Sequence, residues 1–180
     1  MKKVLIIFFV IYGTLLFANN DSTKVATAHD FELENLKGKK IKLSDIYKDK
    51  LVVLDFWANW CVPCKKELPE LDKLQKKYKD FIQVIAVDID KARHLSKAKT
   101  YAKSKKFSFE IVFDTDQKVM NLYNVKVPPF TFIISKNGEI IWSHLGYKRG
   151  DEKEIETQII KLIELENNDS LQTEINGEIE

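Results

Sequence analysis

The sequence predicts a three-layer α/β domain on a mixed β-sheet, and three observations predict it. LVVLDFW (51–57) and FIQVIAVDI (81–89) are mostly apolar runs suited to strands buried on both faces. Between them Leu68, Leu71, Leu74 and Tyr78 recur at helical spacing. Later, FTFIIS and EIIWSH flank Lys136-Asn137-Gly138, an Asn-Gly hairpin signal, and an amphipathic segment follows. Strand, helix and strand, then a hairpin and a last helix, is the order of such a domain.

Taken in order, FELENL and KKIKL around Gly38 predict a hairpin, and Ser44 is placed to cap a short helical turn after it. The first buried strand leads into two cysteines, and a helix of about 18 residues leaves them, with a kink expected near Pro69. After the second strand, the lysine-rich residues 91–105 are read as helix, FEIVF as a short strand and TDQKVMNLY as a brief helix. Residues 151–163 close the domain as a helix with Ile155, Ile159, Ile160 and Ile163 on its apolar side. There is no internal repeat.

The ends read differently. MKKVLIIFFVIYGTLLFA sets two lysines before fifteen residues of which only Gly13 and Thr14 are not apolar. That is short of the roughly 20 residues that span a bilayer, so residues 1–18 are read as a cleaved export signal, with a retained N-terminal anchor as the alternative. Residues 19–28 are a linker, 29–163 the domain, and 164–180 a disordered tail with six acids and no base. Removing residues 1–18 takes away Lys2 and Lys3 and brings the formal charge from +2 to zero. A neutral, interspersed surface argues against nucleic acid as partner, and leaves membrane contact to the N-terminal segment alone if it is retained.

WCVPCKKELP holds both cysteines of the chain, Cys61 and Cys64. As a staple the pair would close a loop of about four residues, for about 2 kcal/mol against about 4.7 for a hundred-residue loop. A closed zinc site needs four ligands, and His29, His94 and His144 are not spaced to complete one, so no metal is expected. The third reading fits the local structure. Cys61 falls at the first residue of the helix, where free N–H groups and the macrodipole favour a thiolate. Cys64 lies one turn on, more shielded. An exposed thiolate beside a buried partner suits disulfide exchange, with Cys61 attacking and Cys64 resolving.

DFWANWCVPCKKELPEL resembles the active-site segment of the TlpA/ResA-like branch of the thioredoxin superfamily, the exported or membrane-associated thiol-disulfide oxidoreductases. HDFELENLKGKKIKLSDI is similar to that branch's N-terminal hairpin, residues 91–113 to its central helix-strand insertion, and VPPFTFIISKNGEI to its cis-proline strand. The resemblance spans about residues 29–163 and implies a thioredoxin fold: a mixed central sheet flanked by helices, with the hairpin and the insertion added.

It also implies roles for single residues. Asp55 takes the position of the buried aspartate that receives the proton of Cys64, and a carboxylate in that apolar strand has a raised pKa if buried; a wet strand end that merely solvates it is the other reading. Glu67 takes the position of an acid beside the active-site cavity that tunes the thiols, although a glutamate on a lysine-rich helix is ordinarily solvated. Pro129 aligns with the cis-proline that packs beside the cysteines, a trans Pro-Pro turn being the alternative. Pro128 departs from the pattern. It has no N–H, where relatives use that group to pair with substrate backbone, so one docking bond should be missing. Trp60 resembles the exposed tryptophan over the active site, while Trp57 reads equally as core; His94 and His144 have no nameable partner.

The function so implied is an exported protein disulfide reductase. With no nucleotide fingerprint and no cofactor expected, its electrons come from a protein, by resemblance a membrane carrier of the CcdA or DsbD type. Oxidised exported proteins are the substrates, apocytochrome c before haem attachment leading, and the location is the periplasm or the outer face of the cytoplasmic membrane. A disulfide-forming oxidase and a copper-site assembly protein are the rivals; a peroxidase fits less well, because its cysteine stands in a different motif.

Overall fold

The structure, a computed structural model, describes residues 26–177. The expected signal or anchor over 1–18 lies outside these residues. Five strands form the central sheet in the order β5-β4-β3-β6-β7. They are β3 (Leu51–Trp57), β4 (Ile82–Asp88), β5 (Glu110–Phe113), β6 (Phe130–Ile134) and β7 (Ile140–Leu145). The β3, β4 and β5 strands run parallel, whereas β6 and β7 are antiparallel. The mixed thioredoxin-type sheet expected from the sequence is the one observed.

Strand β3 is buried along its whole length because it lies in the middle of the sheet and is covered on both faces. Its chain leads directly into the cysteines and into α2 (Val62–Lys77), whose Cys64, Leu68, Leu71, Leu74 and Gln75 are buried. The helix continues through Pro69, which gives up one backbone bond to the carbonyl a turn earlier. Beyond it, a 3-10 turn (Ala92–His94) and α3 (Leu95–Lys105) carry the chain across to β5, which extends the sheet beyond β4. The brief α4 (Lys118–Leu122) then leads toward β6.

The N-terminal hairpin pairs β1 (Glu32–Glu34) with β2 (Lys40–Lys42) as a separate two-stranded sheet. Its turn is closed by the Asn35 side chain, whose Oδ1 accepts from the amides of Lys37 and Lys39. The next turn of helix, α1 (Leu43–Tyr47), corrects one expectation: no side chain caps it from the N-cap position, which is Lys42. The cap comes from far earlier in the chain. Asp30 Oδ1 accepts from the amide of Ser44 at 2.9 Å and from that of Phe31 at 3.0 Å, so a carboxylate does the work assigned to the Ser44 hydroxyl.

The hairpin between β6 and β7 turns at 136–138 as expected, with Gly138 at φ +76° and its amide on the Ser135 carbonyl. A side chain there would meet the Tyr47 ring at 3.0 Å, so glycine is required by space as well as by conformation. The domain also begins earlier than position 29: Ala28 donates to Gly138 O and Ile140 donates to Ala26 O, adding residues 26–28 to the free edge of the hairpin.

The closing helix α5 spans Asp151–Gly177, well beyond the expected 163, and so takes in most of the segment expected to be disordered. Its core contacts are Ile155, Ile159 and Leu162, while Ile160 is exposed. No proline or glycine interrupts the chain before Gly177, and Lys136 pairs with Glu166 at 2.9 Å, tying the extension to the β6–β7 turn.

Candidate active site

Cys61 is the N-cap of α2, one residue earlier than expected, and its Sγ accepts from the amide of Cys64 at 3.2 Å. A sulfur therefore fills the role that Ser or Asp ordinarily takes at a helix start, against the positive end of the macrodipole. The two cysteines are joined as a disulfide with Cα atoms 5.3 Å apart. Cys61 is 3% exposed and Cys64 fully buried. The expected contrast between an open and a shielded sulfur is thus slight in this oxidised form, in which each sulfur covers the other.

The register of the sheet places the proline strand at the same end. Phe56 of β3 faces Phe130 of β6 and Asp55 faces Thr131, so Pro129 precedes β6 where β3 runs out toward the cysteines. The Pro128–Pro129 peptide is cis, as the resemblance implied and against the trans alternative. The carbonyl of Pro129 accepts from Gly146, which ties the turn to the end of β7.

Asp55 and Glu67 are both fully buried, which removes the solvated reading of each. They meet at Thr131: its Oγ1 is 3.2 Å from Asp55 Oδ1 and 3.0 Å from Glu67 Oε1. Burial pushes both carboxyls well above the ordinary carboxylate range, and the charge of Asp55 pushes Glu67 further up. Glu67 lies three residues beyond Cys64, hence on the same face of α2 one turn on.

The loop before Cys61 is held from the neighbouring strand. Asp90 Oδ2 accepts from the amide of Asn59 at 2.6 Å, and Ile89 donates to the carbonyl of Trp57 at 2.9 Å. Asp88 is buried beside Asp90, and burial together with the Asp90 charge pushes it up to about 8. Trp57 is core and lies against the Tyr101 ring at 5.6 Å. Trp60 is 63% exposed, next to Cys61 in sequence, and Val62 equally so.

His144 has a partner that sequence reading could not name, Asp151 Oδ2 at 3.2 Å, and it stacks on Trp142. His94 accepts from the Arg93 side chain at 3.0 Å. Among the described residues no group of three or more His, Cys, Asp or Glu side chains is placed to hold a metal ion. No helix among them is long and apolar enough to cross a membrane.

Two residues of this site were missed by sequence reading. Thr131 is a lone hydroxyl in the apolar run FTFII, and its partners become visible only once the β3–β6 register is known. Asp90 follows an apolar strand as an ordinary loop acid, and only the folded chain brings it to Asn59.

A disulfide at the head of the helix that leaves the central strand ties almost no chain together, so its value lies in opening and closing. Together with the sheet order and the cis-proline it makes this chain a thioredoxin-fold thiol-disulfide oxidoreductase, a protein disulfide reductase by class. Residues 25–143 match the AhpC/TSA family. The thiol-disulfide oxidoreductase ResA of Geobacillus kaustophilus is 38% identical over 143 residues, covering 76% of this chain and 80% of that protein. The thioredoxin-like protein YneN of Bacillus subtilis is 40% identical over 129 residues, covering 71% and 74% respectively. A crystal structure of a putative thiol:disulfide interchange protein DsbE from Chlorobium tepidum superposes with a TM-score of 0.71 at 34% identity, over 77% of this chain and 96% of that one. The chain belongs to the AhpC/TSA family, in its ResA-like group of thiol-disulfide oxidoreductases.

Proposed function

We propose that this oxidoreductase is exported and reduces disulfides of exported proteins, with an apocytochrome c CxxCH disulfide as leading substrate. Its own electrons come from a membrane thiol carrier of the CcdA or DsbD type. The N-terminal layout of two lysines and fifteen residues, nearly all apolar, supports export to the periplasm or to the outer face of the cytoplasmic membrane.

The observation that carries the direction is the pair of buried carboxyls, Asp55 and Glu67, on the side of α2 that also carries Cys64. Once Asp55 ionises, its negative charge disfavours thiolate at the pair, and Val62-Pro63 brings no cation to offset it. A couple whose reduced form is not stabilised as thiolate is reducing, the opposite of a strong oxidant.

In the dithiol form the Cys61 thiolate attacks one sulfur of the substrate disulfide, and the other sulfur leaves as a thiolate. The Cys64 proton passes to Asp55, and Cys64 then attacks Cys61 Sγ, breaking the mixed disulfide and releasing the second substrate thiolate. Two electrons move from the cysteine pair to the substrate, and the Cys61–Cys64 disulfide is left for the donor to reduce. Trp60 and Val62, both exposed beside the pair, form the docking face together with the backbone of the Pro128–Pro129 turn, whose side chains are buried. The test is reduction of a disulfide-bonded CxxCH peptide by the dithiol protein: release of two thiols per Cys61–Cys64 disulfide formed supports this substrate, and no release with this peptide contradicts it.

A further inference from the structure

We infer that Thr131 is a positioning residue of the exchange site, its single hydroxyl proton joining Asp55 and Glu67 into one proton-sharing unit that serves Cys64. This rests on the exchange chemistry of Cys61 and Cys64 and not on the direction of electron flow.

The argument is one of counting hydrogens. Thr131 Oγ1 lies within hydrogen-bond distance of a carboxyl oxygen on each side, at 3.2 Å from Asp55 and 3.0 Å from Glu67, and all three residues are fully buried. A hydroxyl has one hydrogen and two lone pairs, so it donates to one of these oxygens only. The other contact is a bond only if that carboxyl carries a proton and donates it to the hydroxyl. Two ionised carboxylates would leave one oxygen against a lone pair in a dry site, at the cost of an unpaired buried charge. The geometry therefore requires a proton on one carboxyl, while the other, accepting from the Thr131 hydroxyl, is free to ionise.

Glu67, raised by burial and by the charge of Asp55, is the one that keeps it. The chain of donors is then Glu67 to Thr131 to Asp55. Asp55 Oδ2 has no hydrogen-bond partner among the described residues, and neither has Glu67 Oε2. Buried oxygens seldom stay unpaired, and this one is open to take a proton. Glu67 is one helical turn from Cys64, about 4.5 Å of rise, so the unit lies beneath the resolving cysteine. When Cys64 gives its proton to Asp55, the thiolate attacks Cys61 Sγ and the electron pair of the broken bond leaves on the substrate sulfur. The proton then passes to that thiolate or to water, and the unit returns to one proton.

Among the described residues no lysine or arginine bonds to either carboxyl of the unit. Asp151 at the start of α5 adds negative charge toward Glu67, and it is bonded to His144 of β7, which stands opposite Thr131 in the ladder. Tyr147 in the loop before α5 feels the charges of Glu67 and Glu70, and its hydroxyl donates to Glu152. Among the described residues none of these groups bonds to Asp55 or to the Glu67 carboxyl, which leaves Thr131 as the link.

The test compares the unaltered chain with Thr131→Val, which keeps the branched shape without the hydroxyl, and Thr131→Ser, which keeps the hydroxyl. The dithiol forms react with oxidised glutathione across pH 5.5 to 9, and infrared spectra of the oxidised proteins report protonated carboxyl groups. Without the hydroxyl, ionising the unit becomes harder. Thr131→Val should shift the rate profile about one pH unit to the alkaline side, about tenfold slower at pH 7, and Thr131→Ser should restore it. Besides the contribution of Asp88, which is pushed up to about 8, the unaltered protein should show at pH 7 a protonated-carboxyl band that Glu67→Gln removes. A Thr131→Val profile that coincides with the unaltered one, equal shifts in both variants, or no such band would overturn the proposal. Absence of any exchange in the unaltered protein would overturn the exchange chemistry, and with it the role of Thr131, even with the band in place.

Discussion

The amide of Asn59 donates to Asp90 Oδ2 at 2.6 Å, and this bond fixes the loop that delivers Cys61 to the head of its helix. The acceptor belongs to the turn after β4, so the central strand and its parallel neighbour jointly position the cysteines. Asp90→Ala leaves a partly buried amide without its charged acceptor, a loss of about 1.5–3 kcal/mol. Urea unfolding at pH 6, where Asp88 is protonated and gains little from removal of the Asp90 charge, should show it; an unchanged midpoint would mean that the loop is held by other contacts.

Cys64→Ser should trap Cys61 in a mixed disulfide with substrate, because the attacker remains and the resolver is gone. Cys61→Ser should form none. Mass spectrometry after incubation with a disulfide-bonded peptide reads both outcomes, and equal trapping by the two variants would contradict the assignment of roles.

Pro128→Thr restores a backbone N–H just before the cis-proline, where Pro128 offers only a carbonyl. Substrate docking should tighten, with KM for a peptide substrate lower by several-fold for one added hydrogen bond of about 1 kcal/mol. Unchanged kinetics would show that backbone pairing there contributes nothing.

Stability should depend on pH through the buried carboxyls. Asp55, Glu67 and Asp88 have folded-state pKa values raised above their ordinary ones, Asp88 to about 8. A group so raised binds its proton more tightly folded than unfolded, so its stabilisation is complete below about pH 4 and is lost as pH climbs toward the folded value. The thermal midpoint should therefore fall from pH 5 to pH 9, and Glu67→Gln, which cannot ionise, should flatten that fall. A variant curve parallel to the unaltered one would contradict the shift at Glu67.

The sheet was legible because its information is local. LVVLDFW and FIQVIAVDI announce buried strands, Asn137-Gly138 announces a turn, and the cysteine and proline motifs fall at the strand ends the fold requires. What escaped was pairing between polar groups far apart in the chain. Ser44 capped by Asp30, Asn59 held by Asp90, and Thr131 between two carboxyls each depend on register and side-chain direction, which hydrophobic periodicity does not carry. The length of α5 escaped for a related reason: an acidic, weakly apolar stretch reads as tail, yet it continues a helix already seeded by Ile155 and Ile159.

The most direct test of the account is the redox equilibrium of the full chain in glutathione buffers, read as the fraction of Cys61–Cys64 disulfide by mass shift after thiol alkylation. A potential near that of thioredoxin, about −270 mV, is what the buried carboxyls predict and marks a reductase that needs a donor. A potential near about −120 mV, that of a strong oxidant, would reverse the direction of electron flow and contradict it.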